Sequence, residues 1–72
     1  MTQIEVKQFW MVYVEGLGAP NVKHDTLLSA QREAERFLRE NEQRVFVLEA
    51  RMFCERELSP ISWFQTIPPK GG

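Results

Sequence analysis

The chain has 72 residues, 43% of them hydrophobic and 26% charged, with nine Lys and Arg against ten Asp and Glu for a net charge of −1. That length excludes a second domain of ordinary size, and two Trp, one Tyr and five Phe supply a core that a disordered chain lacks. The near-neutral charge argues against a basic nucleic-acid binder and equally against an acidic mimic of DNA.

The first predicted element is a strand over Gln3 to Glu15, with Ile4, Val6, Trp10, Val12 and Val14 on one face and Gln8 as the only break. Its other face is polar at Gln3, Glu5 and Lys7 but apolar at Phe9, Met11 and Tyr13. Gly16-Leu17-Gly18-Ala19-Pro20-Asn21 is turn chemistry, and Val22 to His24 is read as a short return strand. A helix then starts at Asp25 or Thr26, either of which can cap it. Its apolar stripe is Leu27, Ala30, Ala34, Phe37 or Leu38, and Asn41, with Arg32, Glu33, Glu35, Arg36, Arg39 and Glu40 on the other side. Asn41 is expected to end it in the left-handed conformation.

A second strand is predicted from Arg44 to Arg56, its even residues Phe46, Leu48, Ala50, Met52 and Cys54 facing the helix. Glu57-Leu58-Ser59-Pro60 reads as a turn and Ile61 to Ile67 as the last strand. The expected fold is α+β: a small antiparallel sheet in the order strand, short strand, helix, strand, strand, with one amphipathic helix packed on one face. Residues 1–67 form a single domain and 68–72, opened by Pro68-Pro69, a flexible tail. One helix covers only one sheet face, so Phe9, Met11, Tyr13, Val45, Val47 and Phe53 are left as an apolar patch. A patch of that kind on so small a protein predicts a homo-oligomer interface.

The inventory of reactive side chains is thin: one His (His24), one Cys (Cys54) and one Asp (Asp25). Adjacent His24 and Asp25 do not converge on one centre as a Ser-His-Asp triad requires, and Cys54 falls on the expected core face, where a thiol is inert packing. A metal site needs three or four ligands, which one His and one Cys thirty residues apart do not provide. Gly16-Leu17-Gly18 lacks the third glycine of a dinucleotide loop. No enzyme, no metal and no cofactor are expected. A lone cysteine allows no internal disulfide, which suits a reducing compartment. The first ten residues carry Glu5 and Lys7 in place of an apolar run, so no secretory signal is expected. The apolar stretch Phe9 to Val14 is far short of a membrane span.

One constellation points to a ligand. Lys23-His24-Asp25-Thr26 stands immediately before the helix, whose first N–H groups are unpaired and lie at the positive end of its dipole. Lys23, His24 and Thr26 together would hold a phosphate, with Tyr13 or Trp63 stacking on an attached base. The competing account is that Asp25 or Thr26 simply caps the helix while Lys23 is solvated and His24 packs on the loop.

Val12 and Val14, Pro20, Lys23-His24-x-Thr26, Ala30, Glu33-Ala34, Arg36, Leu38, Asn41 and Val45-Phe46-Val47-Leu48-Glu49-Ala50 together carry a resemblance. Over Phe9 to Ala50, a little more than half of the chain, they resemble a group of short uncharacterised phage and prophage proteins. What this implies is an accessory protein of a bacterial virus, of counter-defence type, working in the cytoplasm of the bacterial host. Three functional classes follow, one of them a structural or assembly part of the phage with no ligand. Another is an oligomer that sequesters a phosphorylated small molecule such as a cyclic nucleotide signal. The third is an inhibitor that docks its apolar sheet face on a host protein. A remote alternative outside these is a ubiquitin-like or sulfur-carrier protein, whose terminal diglycine Gly71-Gly72 resembles.

Overall fold

A computed structural model describes residues 5–56 and 61–69. Five elements follow in chain order: β1 (Trp10–Val14), α1 (Leu27–Glu40), β2 (Val45–Glu49), β3 (Met52–Arg56) and β4 (Ile61–Gln65). The fold class is α+β, as expected, but the strands form two two-stranded antiparallel ladders, β1 with β2 and β3 with β4, in place of one sheet. The chain divides into two compact units, one spanning Phe9–Glu49 and the other made from the residues on either side of it in sequence. The predicted turn at 57–60 and the Gly71-Gly72 end lie outside the described residues.

In the Phe9–Glu49 unit, β1 alternates buried Trp10, Val12 and Val14 with half-buried Met11 and Tyr13. Leu17 donates its N–H to the Val14 carbonyl at 3.0 Å, closing a turn whose third residue, Gly16, takes φ +88°. That conformation is strained for any residue with a Cβ, so the turn needs its glycine. The expected return strand shrinks to a single bridge: Trp10 and His24 exchange both backbone hydrogen bonds, at 2.9 and 2.8 Å. Pro20 has no N–H to offer a ladder and the helix cap begins two residues after His24, so there is room for one pair only.

Thr26 caps α1 by accepting the Ser29 N–H on its hydroxyl at 3.1 Å. At the other end Asn41 keeps extended backbone (φ −132°) and is not left-handed. It caps by donating both its backbone N–H and its side-chain amide to the Phe37 carbonyl, at 2.9 and 3.0 Å. The helix lays Ala30, Ala34 and Phe37 on the ladder, and Ala30 is wholly buried against Trp10 and Val12. Leu27, Leu28 and Leu38 stay exposed, so the core stripe is narrower than the sequence periodicity suggested.

The face of β2 is the reverse of the expectation. Val45 and Val47 pack on the core cluster, while Phe46 and Leu48 are 38% and 44% exposed. Register explains it. Val12 lies opposite Val47 and Val14 opposite Val45, and residues directly opposite in a ladder share a face. Small valines let the helix approach over Ala30 and Ala34; a Phe or Leu beneath it would hold it off. Val45 and Val47 therefore do not belong to an outward patch. The face away from α1 instead carries Met11 opposite Leu48 and Tyr13 opposite Phe46, the last pair stacked at 6.3 Å.

The other unit corrects the long second strand. At Ala50 and Arg51 the ladder is interrupted, and buried Thr66 donates its hydroxyl to their carbonyls at 2.7 and 3.2 Å. The Thr66 N–H adds a 2.9 Å bond to Arg51. These bonds satisfy backbone groups that a continuous strand would have paired elsewhere. Beyond the break, Phe53 stacks on Phe64 at 5.2 Å, so it is not part of a patch with Tyr13 on one sheet. Met52 and Cys54 are exposed rather than facing the helix, with Cys54 opposite the exposed Trp63. Val6 and Gln8 pair with Ile67 by two backbone bonds of 2.9 Å, which reduces the early part of the predicted first strand to one parallel bridge.

Candidate functional site

The backbone pair with Trp10 pins His24 beside the first turn of α1. There its Nδ1 meets the Ser29 hydroxyl at 2.9 Å. Ser29 is held in turn by the Thr26 cap, so His24, Thr26 and Ser29 form one hydrogen-bonded group at the positive end of the helix. One turn further, Arg32, Arg36 and Arg39 continue the same stripe. With His24, Thr26 and Ser29 they line an open hollow of about 460 Å³.

The three arginines differ in how they are engaged. Arg36 holds Glu33 through two bonds of 2.9 Å, reaches Glu40 at 3.4 Å, and lies over the Phe37 ring at 4.7 Å. Hydrogen bonding from Arg36 keeps the Glu33 carboxyl below its usual range, and the same bond raises Arg36. Arg39 stands 3.9 Å from Glu35. Among the described residues no carboxylate pairs with Arg32, which leaves its guanidinium free to bind an anion at the hollow.

A second cavity, about 160 Å³, adjoins the same histidine. Val12, Val14, Leu17, Pro20 and Phe37 make its apolar wall, and His24 and Glu33 are common to both linings.

Of the ligand residues expected from sequence, His24 and Thr26 come together. Lys23 does not join them: its ammonium lies 4.6 Å over the Phe9 ring, a cation–π contact. That contact also occupies Phe9, one of the proposed interface residues. Tyr13 stacks on Phe46 on the sheet face away from α1, and Trp63 stands 64% exposed in the other unit; neither lines either hollow. Ser29 and Arg32 line the hollow beside them without having been singled out by the motif before the helix, although the spacing Ser29, Arg32, Arg36, Arg39 is a helical stripe visible in the sequence.

Among the described residues no three His, Cys, Asp or Glu side chains group closely enough to hold a metal, and no helix is long and apolar enough to cross a membrane. No protein-family model, curated protein or solved structure matches the chain.

Proposed function

We propose that the protein is a non-enzymatic binding module that takes a phosphorylated small molecule, such as a cyclic nucleotide signal, against His24, Ser29 and Arg32. The observation that carries this is the unpaired Arg32 guanidinium on the hollow that the His24–Ser29 pair also lines. A guanidinium offers a phosphate two parallel donors, the hydrogen-bonded His24–Ser29 pair adds one more (imidazole Nε2–H or hydroxyl, according to which of them donates to the other), and the helix dipole favours negative charge at the same end. Asp25 and Glu33 oppose binding, which favours a ligand of moderate affinity. The resemblance to phage proteins supports the setting: an accessory protein that removes a host signal in the bacterial cytoplasm.

Calorimetry of the full chain against mononucleotides and cyclic dinucleotides tests the reading. Binding that weakens with salt and is lost in Arg32→Ala supports it. Lys23→Ala should change affinity little, because that ammonium is committed to Phe9. Absence of heat and of thermal shift for every phosphate compound would overturn it.

A second reading has its own observation. Phe46 and Leu48, together with Met11 and Tyr13, present an apolar face on the side of the ladder away from α1. That face suits a second copy of the chain or a host protein. Light scattering that gives a dimer in wild type and a monomer in Leu48→Lys would support self-association; a monomer in both would leave the face to a foreign partner.

A further inference from the structure

We propose that the apolar cavity beside His24 is the second half of the ligand site, and that it takes one planar heteroaromatic ring whose N–H edge faces Glu33 while the attached phosphate lies against Arg32. The inference rests on the phosphate reading of the basic hollow and extends it by naming the rest of the ligand.

Three observations lead there. The first is size. The cavity is about 160 Å³, close to the engineered apolar cavity of roughly 150 Å³ that accepts benzene, so a single six-membered ring fits and a larger group protrudes. The second is adjacency. His24 and Glu33 line both this cavity and the basic hollow, so the two lie side by side, within the reach of one small molecule with a ring at one end and a phosphate at the other. The third is the character of the polar edge. The Glu33 carboxylate is kept ionised by Arg36 and can only accept hydrogen bonds. Each of its oxygens has a second lone pair beyond the one used by Arg36. A ring that presents an amino group, as cytosine does, is complementary to it. A ring that presents a carbonyl at the same place, as uracil does, meets lone pair against lone pair. The ring would be enclosed by Val12, Val14, Pro20 and Phe37, with neither Tyr13 nor Trp63 in the lining.

The test uses the full chain and four probes: cytosine, ribose 5-phosphate, cytidine 5′-monophosphate and uridine 5′-monophosphate. Gly18 lines the cavity, and a Cβ built on it meets nothing within 4 Å, so Gly18→Leu is accommodated without disturbing the core and is chosen to crowd the rim of the cavity. Cytosine should shift the methyl resonances of Val12 and Val14. Cytidine 5′-monophosphate should bind about tenfold more tightly than ribose 5-phosphate, the difference that burial of one ring supplies. The uridine compound should fall between them. In Gly18→Leu the cytidine compound should drop to the affinity of ribose 5-phosphate, itself unchanged. If ribose 5-phosphate binds but the cytidine compound binds no better, the ring site is wrong and the phosphate reading stands. If none of the three phosphate compounds binds, the phosphate reading and this inference both fall, whatever cytosine does.

Discussion

Ala30 is the most demanding position in the Phe9–Glu49 unit, because it is wholly buried where α1 crosses β1, against Trp10 and Val12. Ala30→Leu adds three carbons at a contact with no room for them. The helix must lift or the neighbouring rotamers distort, at about 1–3 kcal/mol. In a domain of this size each kcal/mol moves the melting temperature by about 4–8 °C, so a fall of roughly 5–20 °C is expected. Leu and Ala differ little in helix propensity, so the loss reports packing and not helix formation. Leu28→Ala is the control on the same helix: Leu28 is 55% exposed, and its removal should stay within about 0.5 kcal/mol. Thermal melts of the two variants by circular dichroism at 222 nm make the comparison. An Ala30→Leu protein that melts with or above the wild type would refute the seating of α1 on β1 through Ala30.

The reversed face of β2 predicts that Val47→Asp costs several kcal/mol and unfolds the domain, whereas Leu48→Asp, on the exposed side, costs about 1 kcal/mol or less; denaturant titration separates them. Thr26→Ala removes the acceptor of the Ser29 N–H and should lower stability by about 1 kcal/mol, with Thr26→Ser restoring most of it in chemical denaturation. Glu33, held below the ordinary carboxylate range by Arg36, contributes stability that is complete above that range and fades as pH falls through its lowered value. The melting-temperature gap between wild type and Glu33→Gln should therefore close in acid and be constant near neutrality.

The sequence patterns that proved sufficient were those with a single physical meaning. Thr26 before an amphipathic stripe marks a helix start, and Gly16 in a run of turn residues marks the end of β1; both are present. β2 was ambiguous because Val45-Phe46-Val47-Leu48 is apolar on both parities, so only the register with β1 chooses the face. The break at Ala50–Arg51 was not legible locally, since it depends on a threonine hydroxyl that arrives from Thr66. For the site, the residues before the helix were visible as a group, but the partner of each was not. Lys23 and Arg32 are both cations near α1; one covers a phenyl ring and the other remains unpaired, a difference set by tertiary neighbours.

The pairing of Val6 and Gln8 with Ile67 bears on the order in which the chain folds. Phe9–Glu49 is contiguous, so its contacts close over short and moderate spans of chain. The other unit takes both its strands, β3 and β4, from the residues after that segment and only the stretch 6–8 from before it. On an unfolded chain the bridge between the two flanks must close a loop that includes the whole of Phe9–Glu49. Loop entropy makes such a closure slow and costly until the intervening chain has collapsed. Once Phe9–Glu49 has folded, the flanks are joined by a body of fixed dimension, and the same bridge closes over a far shorter effective tether. Synthesis from the N-terminus favours the same order: the inserted segment emerges before Ile67 does, so the bridge from Val6 and Gln8 to Ile67 is expected to close after Phe9–Glu49 has folded, whereas the local β3–β4 hairpin need not wait for it.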